Sequence, residues 1–531
     1  MKEGGLAMRV KIVQLVTLAA TALLVGSTAL AEPQSDQVHI RQGALKGSVE
    51  GDVAVFRAIP YAAPPVGELR WRAPEPPANW SGLRDATSLG PVCTQPNQAP
   101  VAESEDCLTL NVWTPAVRKT QPLPVMVWIH GGGFAFGSGG KSNGTSFVRD
   151  GVVLVTINYR LGRLGFFAHP ALAGKGPDGS LANFGLMDQI AALKWVRANI
   201  RAFGGDLRNV TVFGESAGAM SVNYLLTSPM ARGLFDRAIS ESGFARTAGT
   251  TLEAARRNAL AIAKSLKVDG DGPAAAAALR ALPAAALVTN PPDVVAPDRI
   301  GPIIDGVVAK ETVAEAFEKG DQARVPAIFG GNSFEASLTP DVLKHPEGVL
   351  GRIGTHRDEA VALYGGGDPA KAAANIVTLG LVIEPDRFEA REDAKRGVPA
   401  WNYYFSYLPK SARDLVPGAG HGWEIAYVYD RLTKVDIHVP PAQQFAGIAL
   451  IPAATPEDQA VASAMHAYWV AFAKTGSPDS AGGPAWPAVK PGSDPAMEFG
   501  VGGPAVRPDF KKSQLDIFTA LADRNGGAAG P

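Results

Sequence analysis

Short apolar runs alternate with longer stretches of helical spacing along most of this chain. Pro124-Val-Met-Val-Trp-Ile-His130 and Val152-Val-Leu-Val-Thr-Ile-Asn158 are apolar at nearly every position, as are Val210-Thr-Val-Phe213 and Val325-Pro-Ala-Ile-Phe329. Runs of that length without a polar face predict strands buried on both sides. Between the second and third, apolar residues recur at Leu186, Ile190, Leu193, Val196 (or Trp195) and Ile200, the spacing of one helix face over 186–203. A helix between two such strands predicts that they pair in parallel through a right-handed crossover. The alanine-rich stretch Ala254 to Leu287, interrupted by Asp269-Gly-Asp-Gly-Pro273, predicts a helical insertion over the sheet. The expected class is α/β, a large and mostly parallel sheet flanked by helices.

The N-terminus has a different pattern. Met8-Arg9-Val10-Lys11 is basic, Ile12 to Val25 is apolar, and Ala29-Leu30-Ala31 places small residues at the positions a signal peptidase reads. Residues 1–31 are therefore expected to be a cleaved signal peptide, with Met8 as an alternative start, and the protein to be exported, periplasmic or secreted. No other segment is apolar enough to span a bilayer. Residues 32–524 are expected to form one domain, since no linker, charge block or repeat divides them, and the Gly/Ala-rich tail 525–531 to be disordered. Cys93 and Cys107 are the two cysteines, and an exported chain is oxidised, so they are expected to pair. With 50 basic and 51 acidic residues the net charge is -1, which argues against a nucleic-acid partner.

The chemistry begins at Gly214-Glu215-Ser216-Ala217-Gly218, which fits the G-x-S-x-G turn that holds a nucleophilic serine between strand and helix. The pattern also occurs at Gly140-Lys141-Ser142-Asn143-Gly144, and context separates the two. Ser216 follows the apolar run 210–213 and precedes the helix-compatible Ala217 to Leu225, whereas no strand precedes Ser142. A serine nucleophile needs donors for the oxyanion it creates. His130-Gly-Gly-Gly-Phe134, directly after a strand, resembles the glycine loop of esterases and lipases. The N–H groups of Gly131, Gly132 and Ala217 are assigned to the oxyanion hole.

Taken together these motifs resemble the type B carboxylesterases, relatives of the cholinesterases, over nearly the whole mature chain. Phe56 to Gly67 is similar to the family's N-terminal signature, as is Ser104-Glu-Asp-Cys-Leu-Thr-Leu-Asn111. Asn158-Tyr-Arg-Leu-Gly162, Phe203-Gly-Gly-Asp206 and Lys474-Thr-Gly476 complete the likeness. The resemblance implies an α/β-hydrolase fold, carboxylic-ester hydrolysis, and a disulfide at the place of Cys93–Cys107. Chain order in that fold puts the acid and then the base after the serine, leaving His345, His356, His421, His438 and His466. His466 lies in an apolar helical run, and His345, His356 and His438 lie in charged or proline-rich loops. His421, in Gly418-Ala-Gly-His-Gly422 after the strand-like 401–407, is the expected base, and its neutral form should be lost as pH falls through roughly 6.5. Glu335, in Phe329-Gly-Gly-Asn-Ser-Phe-Glu335, is the expected orienting acid, with Asp321, Asp341 and Glu347 as rivals. The family usually has aspartate where Phe334 stands. Ser242 resembles a serine that supports the acid, and Glu215 is expected beside the site. Trp423 reads equally as a wall of the substrate site or as core.

Such chemistry calls for no metal or organic cofactor; the expected partner is a small ester. An amidase or peptidase, and a non-catalytic adhesion relative, remain the alternatives.

Overall fold

The computed structural model describes residues 36–96, 102–117, 119–173, 182–288, 300–339, 341–432, 454–479 and 482–524. The expected signal peptide, the C-terminal tail and His438 lie outside them.

An eleven-stranded sheet organises the chain. Its strands are β1 (Ser48–Glu50), β2 (Val53–Pro60), β3 (Thr109–Pro115), β4 (Leu123–Ile129), β5 (Val153–Ile157), β6 (Gly205–Glu215), β7 (Arg237–Glu241), β8 (Ala327–Asn332), β9 (Ala400–Phe405), β10 (Ala496–Gly500) and β11 (Gly503–Arg507). Their spatial order is β11-β10-β9-β8-β7-β6-β4-β5-β3-β2-β1. From β5 across to β10 every pairing is parallel. Antiparallel strands close both margins. The fold is that of an α/β-hydrolase, as expected.

Each strand predicted from an apolar run is present, and β6 is longer than the pattern indicated because its first half is polar. One expectation needs correction. β5 and β6 run parallel but do not pair; β4 lies between them, in register with both. The apolar run of β4 has no polar face to give to water, so it takes the middle of the sheet. Val125, Val127 and Ile129 pack into one core, and Met126 and Trp128 into the other. Alternate side chains of a strand point to opposite faces, so the two cores lie on opposite sides of the sheet. Helices α1 (Phe184–Asn199) and α2 (Ala217–Thr227) supply the first core with Leu186, Ile190, Leu193, Val222 and Leu225. Helix α3 (Glu384–Lys395) joins the same core through Phe388 and Ala390. Helix α4 (Pro456–Thr475) covers the other with Met465, Trp469 and Phe472. The alanine-rich insertion is helical over Leu252–Ser265 and Pro273–Ala281, broken at the predicted Asp-Gly segment.

Because the central strands are parallel, the loops that follow β4, β6, β7, β8 and β9 all leave from one edge. Ligands of open α/β sheets bind at that carboxyl edge.

Candidate active site

The turn that carries Ser216, the expected nucleophile, is built by strain and close packing. Ser216 caps α2 with φ 57° and ψ −122°, a conformation non-glycine residues rarely adopt. Its backbone is pinned on both sides: its N–H donates to Glu241 O at 2.9 Å, and its carbonyl accepts from Met220 N at 2.8 Å. The flanking glycines are required by contact. A Cβ on Gly218 would stand 2.0 Å from Ile129 O, and one on Gly214 would stand 2.6 Å from the same oxygen. The elbow thus rests directly on the end of β4.

The glycine loop continues from that point. A Cβ on Gly131 would lie 3.1 Å from Ser216 Cβ and 2.8 Å from Glu215 Oε2. Gly132 and Gly133 have φ of 105° and 60°, so the peptide planes turn where the oxyanion donors are expected. Ala217 is the first residue of α2, where helix N–H groups have no partner within the helix. Gly133, which the sequence reading passed over, is exposed with open space around it and adjoins the expected donors.

The loops that carry Glu335 and His421 are joined to each other. Phe334 N donates to Ala419 O (2.8 Å), Ala419 N to Ser333 Oγ (2.8 Å), and His421 N to Ser337 Oγ (2.9 Å). Phe334 is buried among Ala336, Leu379 and Val382, so an apolar anchor fixes the turn that carries Glu335. Glu335 is fully buried and accepts three hydrogen bonds: from His421 Nδ1 at 2.6 Å, from Ser242 Oγ at 2.6 Å and from Asn332 N at 2.7 Å. The rivals are elsewhere. Asp321, Asp341 and Glu347 are exposed, and Glu347 pairs with Arg357.

His421 Nε2 is buried with no hydrogen-bond partner. Glu215 Oε1 lies 3.1 Å away, off the line of a hydrogen bond, so the contact is ionic in character. Burial by itself favours the neutral imidazole, but the charges of Glu215 and Glu335 and the Glu335 hydrogen bond outweigh it and raise the His421 pKa above its ordinary 6.5. Glu215 is in turn raised, by burial first and by the Glu335 charge, while the His421 charge opposes the rise. Glu424, three residues after His421 and held by Asn332 Nδ2, is raised by its burial and by Glu215 and Glu335.

The other described histidines weighed as the base, His345, His356 and His466, have different surroundings. His466 is packed in α4, bonded through Nδ1 to Val428 O at 2.6 Å and facing Asp150 at 3.2 Å. His345 and His356 are exposed. Ser142 follows a short 3-10 turn instead of a strand. Trp423 is half-buried and packs against the second core. Phe244 lies beside His421, its ring centroid 5.7 Å from the imidazole. No spacing in the sequence pointed to it, because it arrives from the turn after β7.

The carboxylesterase family profile matches residues 34–358 and 366–518. The chain belongs to the carboxylesterase family. A fumonisin B1 esterase of Sphingopyxis macrogoltabida is 37% identical over 498 residues, covering 88% of each chain. The para-nitrobenzyl esterase of Bacillus subtilis (strain 168) is 35% identical, over 85% of this chain and 92% of that one. Liver carboxylesterase 1 of Oryctolagus cuniculus is 32% identical, over 88% and 91%. Among solved structures, the Geobacillus stearothermophilus carboxylesterase at pH 6.2 superposes with a TM-score of 0.78 at 34% identity, covering 91% of this chain and 99% of that one. This chain is a carboxylesterase. The carboxylesterase contains the Cys93–Cys107 disulfide, and no helix among its described residues is long and apolar enough to cross a membrane.

Proposed function

We propose that the carboxylesterase cleaves its ester through an acyl-enzyme on Ser216. His421 Nε2 takes the Ser216 proton as Oγ attacks the ester carbonyl carbon. The N–H groups of Gly131, Gly132 and Ala217 hold the oxygen that becomes negative. The tetrahedral intermediate collapses with loss of the alcohol, which leaves with the proton from His421. Water then adds to the acyl-enzyme by the same steps, with His421 again the base. Glu335 accepts the hydrogen bond from Nδ1–H throughout, fixing the tautomer that leaves Nε2 open and stabilising the imidazolium as it forms. Ser242 and Asn332 hold Glu335 in place.

The observation that carries this reading is the asymmetry of the imidazole. One nitrogen is hydrogen-bonded at 2.6 Å to a fully buried carboxylate, and the other is buried beside the strained elbow with no hydrogen bond, its charged neighbour being Glu215 at 3.1 Å. Buried polar nitrogens are rarely left without a hydrogen bond, and catalytic groups are a common reason for the exception. The bond from nucleophile to base often tightens only when substrate is present. The sheet supplies the rest, because parallel strands bring residues 131, 216, 242, 335 and 421 to one edge.

Relatives that carry the names fumonisin B1 esterase and para-nitrobenzyl esterase support a preference for bulky alcohol groups. Phe244 beside the base would pack on such a group. The residues ahead of Asp36 fit a signal peptide over 1–31, and the disulfide fits an exported, oxidised protein. The test is rapid-mixing hydrolysis of 4-nitrophenyl acetate. A burst of 4-nitrophenol equal to the enzyme, followed by slower turnover, is expected, and Ser216→Ala should abolish both phases. Retention of turnover in Ser216→Ala would refute the proposal.

A further inference from the structure

The glycine loop has few bonds of its own to fix the direction of its N–H groups. Gly132, Gly133, Phe134 and Gly137 all have φ between 58° and 120°, where small rotations redirect the peptide. Within the loop Gly132 O accepts from Ala135 N at 3.0 Å and from Phe136 N at 3.1 Å. At its start His130 is stacked on Tyr159 (ring centroids 4.5 Å apart), and burial lowers its pKa to about 4. It is therefore neutral, and its Nδ1–H donates to Gly131 O at 2.8 Å. Gly137, at the far end, lies against this start. A Cβ there would meet His130 Nδ1 at 2.3 Å and Gly131 O at 2.6 Å.

Gly137 is held from outside the loop by one side chain. Its N–H donates to Gln95 Oε1 at 2.8 Å, and its carbonyl accepts from Gln95 Nε2 at 3.0 Å. Nε2 also donates to Cys93 O at 2.8 Å, which fixes the amide's orientation, since a flipped amide would set N–H against N–H. Gln95 is buried, two residues from the Cys93–Cys107 disulfide, and its N–H reaches Glu103 Oε2 across the same loop.

We infer that Gln95 is a positioning residue for the oxyanion hole, a paired clamp that holds Gly137 against His130 and Gly131 and so aims the loop's N–H groups at the Ser216 adduct. The inference rests on the acyl-enzyme reading above. It assigns the disulfide loop a part in catalysis: presenting this one amide.

The test compares the full chain with Gln95→Met, which keeps the side chain's length and removes both bonds to Gly137. Each is titrated with an alkyl trifluoromethyl ketone and with the matching methyl ketone. Ser216 Oγ adds to the activated carbonyl carbon and its proton passes to His421, leaving an oxyanion in the hole; the methyl ketone binds without adding. In the parent the trifluoromethyl ketone should bind far more tightly. In Gln95→Met that preference should fall about tenfold or more, kcat should fall in parallel, and KM and methyl-ketone binding should stay within about twofold. If Gln95→Met does not accumulate as folded protein, Gln95→Glu is compared in the same way, since it keeps the acceptor for Gly137 N and loses the donor. An unchanged preference in the folded variant, whatever its melting temperature, overturns the inference. No preference in the parent would instead overturn the acyl-enzyme reading on which it rests.

Discussion

Replacing Glu335 by glutamine keeps the side chain's shape and removes its charge. The three donors that converge on this fully buried carboxylate are His421 Nδ1 and Ser242 Oγ at 2.6 Å and Asn332 N at 2.7 Å. An amide has one acceptor oxygen. Ser242 and Asn332 share Oε1 of the present carboxylate, so a glutamine oxygen satisfies both by taking that place. Its NH2 group then faces His421 Nδ1. The ring must become the Nε2–H tautomer, which cannot accept the Ser216 proton, and the charge that stabilises the imidazolium is lost as well. Loss of the orienting carboxylate in a triad costs about 10,000-fold in kcat, or about 5 kcal/mol of transition-state stabilisation. The assay is kcat and KM on 4-nitrophenyl acetate, with circular dichroism to show that the fold is intact. Glu335→Asp, which keeps the charge but is one methylene shorter, should lose much less than Glu335→Gln. If folded Glu335→Gln retained kcat to within about tenfold, the carboxylate would not orient the base, and the exposed Asp341 would be the next to be replaced.

The remaining predictions concern the same few contacts. The carboxylates of Glu215 and Glu335 raise the His421 pKa, so the acid limb of the kcat/KM profile should lie above 6.5. Glu215→Gln removes the negative charge 3.1 Å from Nε2 and should move that limb to lower pH; a shift to higher pH would contradict it. Ser242→Ala deletes one of three bonds to Glu335 and should lower kcat by about tenfold with KM nearly constant, measured by steady-state kinetics. Gly218→Ala would drive a methyl to 2.0 Å from Ile129 O and should destabilise the fold by about 1–3 kcal/mol in urea unfolding; an unchanged midpoint would show that the elbow has slack.

The sequence was most informative where backbone geometry demands particular residues. A strand followed by G-x-S-x-G, and a strand followed by three glycines, each describe a turn that other residues cannot make, and both turns stand at one edge of the sheet. Glu335 and His421 were legible through chain order and their loops, but their meeting at 2.6 Å is a tertiary fact. It depends on Phe334 being anchored in an apolar cluster and on the stitching of residues 333–337 to residues 419–421. Strand order was not legible in the same way. Periodicity located β4, β5 and β6 but could not show that β4 lies between the other two, because their burial is alike. Phe244 and Gln95 gave no local signal at all. One reaches His421 from the turn after β7, and the other reaches the glycine loop from the disulfide segment 42 positions earlier in the chain.

The most direct test of the proposal that Ser216 is the nucleophile is intact-mass and peptide mapping after treatment with an organophosphate such as paraoxon. The account predicts one diethyl phosphoryl group per chain, located on the peptide carrying Ser216, with loss of esterase activity in proportion to labelling and no adduct in Ser216→Ala. A label carried instead by Ser142 or another residue, or inactivation without any adduct at Ser216, would contradict it.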